Sequence, residues 1–137
     1  MNPILRNIIA VVVGFFLGSA LNMGVLMLFE NIIPPPEGID TSNMESIARG
    51  MTDGLYEIKH FISPFLAHAL GTIFGAYLVS MIAANNHMKL ALAIGTVFLF
   101  LGAYMVFELP SPMWFNVLDL AGAYIPMAWI GWKLSGK

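Results

Sequence analysis

The sequence predicts an all-α membrane protein, an up-down bundle of four transmembrane helices. Two observations carry this prediction. The 137 residues contain four apolar segments, each close to the roughly 20 residues that cross a bilayer as a helix. In addition, 58% of the residues are hydrophobic and only 10% are charged, whereas soluble domains carry about 25% charged residues. So few charges cannot cover a water-facing surface, and we expect one lipid-embedded domain over residues 1–137.

The four predicted spans follow one another with short connections after the first loop. They cover residues 4–29, 61–84, 88–107 and 113–134, and the first outer loop covers 31–60. The apolar runs are continuous rather than alternating, which excludes transmembrane strands. The short connection at 85–87 makes the second and third spans an antiparallel hairpin. Within the fourth span Pro126 predicts a kink that frees the carbonyl of Gly122, four residues earlier.

Charges are distributed unevenly between the two ends of the spans. All acidic residues lie in or near the first and third connections: Glu30, Glu37, Asp40, Glu45, Asp53, Glu57, Glu108 and Asp119. Four of the six basic residues lie at the opposite ends, namely Arg6, Lys89, Lys133 and Lys137, while Arg49 and Lys59 lie in the outer loop. The positive-inside rule therefore places both termini in the cytoplasm and the 31–60 loop outside.

The outer loop carries a helical pattern of its own. Ser42 and Glu45 fit a capping box, and apolar residues follow at helical spacing: Met44, Ile47, Ala48, Met51 and Leu55. This predicts a short amphipathic helix that lies on the outer surface or caps the bundle. The alternative is an ordered loop packed on the helix ends.

Two pairs of segments share short sequence similarities. The first and third spans both end in a Met-x-Phe-Glu pattern at Glu30 and Glu108, and His68-Ala-Leu-Gly resembles Asp119-Leu-Ala-Gly. Duplication of a helical hairpin would explain both and would give a pseudo-twofold axis along the membrane normal. In that case Glu30 is equivalent to Glu108, and His68 to Asp119.

Four polar residues lie inside the predicted spans: Asn22, His68, Asn116 and Asp119. Polar groups in hydrocarbon are costly and therefore face the bundle interior. At 1.5 Å per helical residue, Asn22, His68 and Asp119 all lie about 10 Å below the outer surface. The sequence therefore predicts one buried polar cluster or ligand-binding site, reached from outside.

Three interpretations of this cluster remain open. It is a structural hydrogen-bond group in which His68 donates to Asp119, a metal site, or a proton or ligand path. The metal site would use the Glu57-x-x-His60 spacing of carboxylate-bridged metal proteins, together with Glu30 and Glu108 at similar height. No cofactor other than a possible divalent metal is predicted.

Other functional classes find no support in the sequence. No basic stripe indicates nucleic acid binding, no cysteine is present for thiol chemistry, and no phosphate loop or dinucleotide motif occurs. Small residues at Gly14 and Gly18, and at Ala67, Gly71 and Gly75, suit close helix packing. We therefore expect membrane lipid as the main partner, with a homo-oligomer or a larger membrane complex as further possibilities.

The pattern resembles small uncharacterised four-helix membrane proteins of bacteria. The residues that carry the resemblance are Asn22-Met23, Pro34-Pro35-Pro36-Glu37-Gly38, Asn43-Met44-Glu45-Ser46, Lys59-His60-Phe61 with Pro64 and His68, the run 109–115, and Asp119 with Pro126. In size and topology the chain also looks like DoxX-like proteins. Its size and topology also resemble those of small multidrug resistance proteins, which have an essential glutamate inside the first helix. In this chain that helix has Asn22 in its interior and its only glutamate, Glu30, at the outer end, which counts against that family.

The resemblance implies a multi-pass protein of the bacterial inner membrane. It carries no activity with it, so no catalytic residue is assigned. The sequence favours a non-enzymatic accessory or ligand-binding subunit with an outward-facing polar pocket. The alternative is a metal- or proton-dependent membrane enzyme or small carrier that uses the same residues.

Overall fold

A computed structural model describes the whole chain, residues 1–137, and contains helices but no strand. The α-helices are α1 (Pro3–Ile32), α2 (Met44–Thr52), α3 (Ile62–Ile82), α4 (His87–Glu108), α5 (Met113–Gly122) and α6 (Ile125–Ser135), and one 3-10 turn (Ile58–Phe61) leads into α3. Three stretches are long and apolar enough to cross a membrane: α1, α4, and α3 together with its preceding turn. The all-α prediction is confirmed, and three of the four predicted spans appear as long apolar helices.

The fold is built around α3, which packs against α1, α4 and α6. Glycines set its contact with α1. A Cβ added at Gly71 would lie 2.8 Å from the Gly18 carbonyl oxygen, and one at Gly75 would lie 2.8 Å from that of Gly14. Because no side chain separates the two backbones, α1 and α3 approach as closely as small-xxx-small faces allow. The two small-residue faces predicted from the sequence therefore pack against each other.

The outer faces of the long helices are apolar. On α1 and α4 large side chains such as Phe16, Phe100 and Phe107 are mostly exposed. Water would penalise such a surface, whereas lipid chains are as apolar as these side chains. The exposed faces thus have the character of a lipid-facing surface.

Polar side chains connect α1 to the α3–α4 turn at the end of the fold that the charge pattern predicts to be cytoplasmic. The Asn7 side chain donates to Asn85 and accepts from the Ala84 N–H, both at 2.9 Å. Arg6 Nε donates to the Ile82 carbonyl oxygen. These bonds satisfy backbone groups at the end of α3, which have no partner within the helix. They also fix the start of α1 against the α3–α4 turn.

The fourth predicted span is not one continuous helix. It is divided into α5 and α6 by a break at Ala123–Tyr124, so the single helix kinked at Pro126 that was expected over 113–134 is replaced by two helices. Pro126 is the second residue of α6 and has no N–H to donate to the Gly122 carbonyl. The signal identified in the sequence was correct, but it ends a helix instead of bending one.

The predicted outer-loop helix is present as α2, but its cap differs from the prediction. Asn43, not Ser42, caps it, because the Asn43 side chain accepts from the N–H groups of Glu45 and Ser46. The Ser42 hydroxyl instead donates to Asp40 at 2.6 Å, and this hydrogen bond lowers the pKa of the Asp40 carboxyl. The capping box predicted at Ser42 and Glu45 is therefore absent.

The predicted duplication has little support in the geometry. The two halves of a repeat should match, but α3 is continuous where α5 and α6 are broken. The glycine contact of α1 with α3 is also much more extensive than the contact of α4 with α5 or α6. Whatever the origin of the sequence similarity, the two hairpins have different structures.

Candidate functional site

Two connected cavities lie between the helices at the outer end of the fold. The outer cavity, about 560 Å³, lies below α2 and between the outer ends of α1, α3, α4 and α5. The inner cavity, about 190 Å³, lies deeper between α1, α3 and α4. The residues that line both cavities are Asn22, His68, Gly102 and Met105. The polar residues predicted as a cluster thus lie where the two cavities join.

His68 and Asp119 form the polar centre of this junction. The His68 Nδ1 atom lies 2.8 and 3.0 Å from the two carboxylate oxygens of Asp119. An ionised carboxylate can only accept, so Nδ1 carries a proton and donates it. Asp119 is 5% exposed, while the His68 side chain is 25% exposed. The pair therefore has one buried member and one that faces the cavities.

Tyr124 is the third member of the centre. Its hydroxyl donates to Asp119 Oδ2 at 3.1 Å, and its ring stacks on His68 with centroids 5.7 Å apart. Residues five apart on one helix point in different directions, so the break after Gly122 is what turns Tyr124 back toward Asp119. The buried carboxylate thus receives hydrogen bonds from two side chains.

Gly102 on α4 provides the space for the Tyr124 ring. A Cβ at this position would overlap the hydroxyl group and lie 2.7 Å from the adjoining ring carbon. The centre therefore depends on a glycine in one helix and on a break in another. Neither Tyr124 nor Gly102 was predicted as a site residue.

Two groups at the junction have no hydrogen-bond partner within the protein. His68 uses Nδ1 for Asp119, which leaves Nε2 available. The side-chain oxygen of Asn22 is buried and makes no hydrogen bond. A buried polar atom without a partner costs about 1–3 kcal/mol, so a site that keeps one has a reason to bind a polar group there. Asn22 and His68 are thus the free hydrogen-bonding positions of the cavities.

Asn116, the remaining member of the predicted cluster, has a different role. Its side-chain oxygen accepts from the Ser111 hydroxyl at 2.8 Å, and its amide donates to the Ser111 carbonyl oxygen. Asn116 contributes to the wall of the outer cavity, but its side chain is occupied in holding the turn before α5. It does not complete the His68–Asp119 pair.

The residues proposed for a metal are not brought together. No three His, Asp or Glu side chains lie in an arrangement that could hold a metal ion. Glu57 is exposed and pairs with Lys59 at 3.7 Å, and Glu108 is exposed at the end of α4. Of the four candidates only Glu30 and His60 line the outer cavity. The i, i+3 spacing of Glu57 and His60 therefore does not build the predicted shared site.

The backbone explains why Glu57 and His60 fail as a ligand pair. The 3-10 turn places the Glu57 N–H 2.8 Å from His60 Nδ1, so this ring nitrogen is already occupied as an acceptor. Glu30 is likewise engaged by the Thr41 hydroxyl. These contacts fasten the loop to the ends of α1 and α3. The residues whose spacing suggested a metal site instead help to attach the loop to the helices.

Above the junction α2 closes the outer cavity with apolar side chains. Met44, Ile47 and Met51 face the cavity from α2, as the amphipathic pattern predicted. Tyr56 lies beside them, with its ring edge-on to His60 at 5.6 Å, and burial raises the pKa of its hydroxyl. The cavity thus has an apolar, methionine-rich roof over a polar floor, and thioether side chains adapt readily to different shapes.

Comparisons with protein-family models, with curated proteins and with solved structures find no match to this chain. A buried carboxylate that orients a histidine fixes its tautomer and leaves Nε2 to accept a hydrogen bond or a proton. Such a group can bind a ligand or transfer a proton.

Proposed function

We propose that this chain is a small, non-enzymatic ligand-binding protein of the bacterial inner membrane, acting as an accessory subunit. The observation that carries the proposal is the outer cavity, which extends from the α2 roof to His68 and Asn22. Its volume of about 560 Å³ lies within the range of roughly 300–1,000 Å³ typical of small-molecule sites. The surface of its lining is mainly apolar, as in most such sites, and polar side chains lie both near its outer side, at Glu30 and His60, and at its floor, at His68.

In this proposal α5 and α6 cross the bilayer together as a fourth, broken span. Broken helices occur at membrane depth where the interrupted backbone is buried in protein or lines a cavity. Ala123 and Tyr124 at the break are both buried, which satisfies that condition. With four spans both termini lie on the same side, and the basic residues near them favour the cytoplasm, which leaves α2 in the periplasm. The pocket then faces outward.

A proton-coupled carrier is the second candidate, and the His68–Asp119 pair favours it. Histidine changes its charge near neutral pH, and a carboxylate partner is the usual way to tune it. Toward the cytoplasm, however, Gly14 of α1 packs directly on Gly75 and Val79 of α3, and the buried Ser80 hydroxyl beyond them makes no hydrogen bond to a neighbour. The carrier therefore lacks an inward path in one protomer, and a blind pocket fits the geometry better.

Native mass spectrometry of protein extracted with its surrounding lipid in polymer nanodiscs tests the ligand-binding proposal. We expect a bound non-protein molecule at one per chain in the wild type. Met105→Trp should remove it, because Met105 lines both cavities and the larger side chain fills their junction. Tyr104→Trp is the matched control, since Tyr104 is 60% exposed on the outer face.

Two results would contradict ligand binding. One is a wild type that carries no molecule beyond the annular lipid also present in Met105→Trp. The other is a molecule retained equally by both tryptophan variants. The second result would place any binding on the lipid-facing surface and leave the cavity without a role.

A further inference from the structure

We propose that the inner cavity binds the head of an uncharged lipid, such as a monoacylglycerol, which reaches it sideways from the bilayer between α1 and α4. This inference rests on the proposed ligand-binding function and adds the class of ligand and its route.

The inner cavity has helix walls that scarcely touch each other on its outer-leaflet side. Gly18, Ser19 and Asn22 line it from α1, and Phe98, Leu101 and Met105 line it from α4. α1 packs closely on α3 but contacts α4 at only a few positions. Leu101 at the rim is 48% exposed. The gap between α1 and α4 therefore opens at the depth of the lipid chains.

The depth of this gap follows from helix geometry. Leu101 lies seven residues before the end of α4 at Glu108, which corresponds to about 10 Å at 1.5 Å per residue. His68 lies a similar distance below the outer end of α3. A lipid in the outer leaflet thus has its upper chain region level with the gap. Its head would have to tilt inward by only a short distance to reach Asn22.

The groups inside the cavity specify a head that both donates and accepts hydrogen bonds. His68 donates through Nδ1 to Asp119, so in the neutral ring Nε2 is a hydrogen-bond acceptor. Asn22 has an unpartnered side-chain oxygen and an amide that can donate. An alcohol satisfies both residues at once, since a hydroxyl donates one hydrogen bond and accepts others. An ester alone cannot, because it has no donor.

The charges of the lining residues and the volume of the inner cavity further restrict the class of lipid head. Neither cavity is lined by a lysine or an arginine, so nothing compensates the burial of a phosphate or a free carboxylate. The inner cavity of about 190 Å³ has room for on the order of six waters at ~30 Å³ each. That volume fits a glycerol-sized head. The chain of the lipid would extend outward past Leu101.

Photo-crosslinking in phosphatidylcholine nanodiscs tests this proposal on the full chain. The probes share one diazirine-bearing acyl chain and differ only in the head: a monoacylglycerol, the free fatty acid and its methyl ester. We expect the monoacylglycerol to label peptides that contain residues 18–22 and 98–105 about 3- to 10-fold more than either analogue, as one or two lost hydrogen bonds imply. Asn22→Leu should reduce that labelling by a similar factor. Asn31→Leu, at the exposed end of the same helix, should leave it unchanged.

Leu101→Trp tests the route by which the lipid enters, because it narrows the gap between α1 and α4 while leaving the outer cavity open. We expect this variant to slow labelling by the monoacylglycerol, whereas unchanged labelling would show that lipid arrives through the outer cavity and would overturn sideways access. Equal labelling by all three heads, or no effect of Asn22→Leu, would overturn the choice of ligand. If the nanodisc-extracted protein nevertheless loses a bound molecule on Met105→Trp, ligand binding stands and only the uncharged-lipid inference fails.

Discussion

His68 donates a forked hydrogen bond to Asp119, with Nδ1 lying 2.8 and 3.0 Å from the two carboxylate oxygens. The two residues come from α3 and from the first part of the broken segment, and α3 has few other contacts with α5. The pair therefore contributes both to the polar floor of the cavities and to the attachment of α5.

His68→Ala should destabilise the protein by about 1–3 kcal/mol, because it leaves the buried carboxylate with Tyr124 as its only side-chain donor. The value is at the low end for a broken buried pair, since a quarter of the His68 side chain is exposed. Lys59→Ala is the control and should change stability by no more than about 0.5 kcal/mol, because Lys59 is exposed and makes only a surface ion pair with Glu57. Denaturation in detergent micelles followed by circular dichroism measures both. Equal losses for the two variants would show that the pair has no special structural weight.

Gly102→Ala should cost about 1–3 kcal/mol, because the new methyl group overlaps the Tyr124 hydroxyl and ring in a well-packed region. Adding Tyr124→Leu should recover part of the loss, since it removes the ring that collides. Gly24→Ala on α1 is the matched control: its Cβ would meet nothing within 4 Å, and alanine favours a helix by up to about 1 kcal/mol over glycine. Thermal unfolding in one detergent compares the wild type with Gly102→Ala, Tyr124→Leu, the double variant and Gly24→Ala. Independent effects of the two changes would contradict the contact.

Elemental analysis of the purified protein should find no stoichiometric zinc, iron or manganese that depends on His60. The reason is geometric: Nδ1 of His60 accepts from the Glu57 N–H, and no three potential ligands converge. Wild type and His60→Ala, purified side by side, should therefore contain the same trace metal. One equivalent of metal present in the wild type and lost in the variant would require the loop to rearrange on binding.

Hydropathy located three helices to within three residues at every end, because a lipid-spanning helix must be apolar along its whole length. It could not locate the break at Ala123–Tyr124, since both residues are themselves apolar or amphipathic and the average over a window hides an interrupted backbone. Pro126 was a local signal for this break, but a proline alone does not distinguish a kink from a helix end.

The sequence predicted those contacts of the candidate site that follow from the depth of a residue below the outer surface. His68 and Asp119 lie at similar distances from the outer surface, and a buried carboxylate needs a partner, so their meeting could be expected. Asn116 has the same approximate depth but forms hydrogen bonds with Ser111, because the turn before α5 provides both a donor and an acceptor within its reach. Tyr124 was missed because its direction depends on the broken backbone and on Gly102, a contact between different helices that spacing along the sequence does not show.

The glycine contact between α1 and α3 should be sensitive to small additions. Gly71→Val should destabilise by more than about 1 kcal/mol, because the carbonyl oxygen of Gly18 lies only 2.8 Å from the added Cβ and a backbone cannot rotate away as a side chain can. Gly24→Val on the open face of α1 controls for the helix propensity of valine. Comparison of their unfolding in micelles isolates the packing cost. Equal changes in both variants would mean that the close approach of α1 and α3 contributes nothing to stability.

The position of the C-terminus decides whether α5 and α6 together cross the bilayer. With four spans both termini lie on one side, whereas with three spans they lie on opposite sides. The chain has no cysteine, so Asn2→Cys, Lys137→Cys and Thr52→Cys each introduce a single thiol. In intact cells a membrane-impermeant maleimide should label only Thr52→Cys, in the α2 region, and the two terminal variants should react only after permeabilisation. Labelling of Lys137→Cys in intact cells would show that α5 and α6 do not cross the bilayer. One wall of the pocket would then be formed by a segment that lies on the membrane surface.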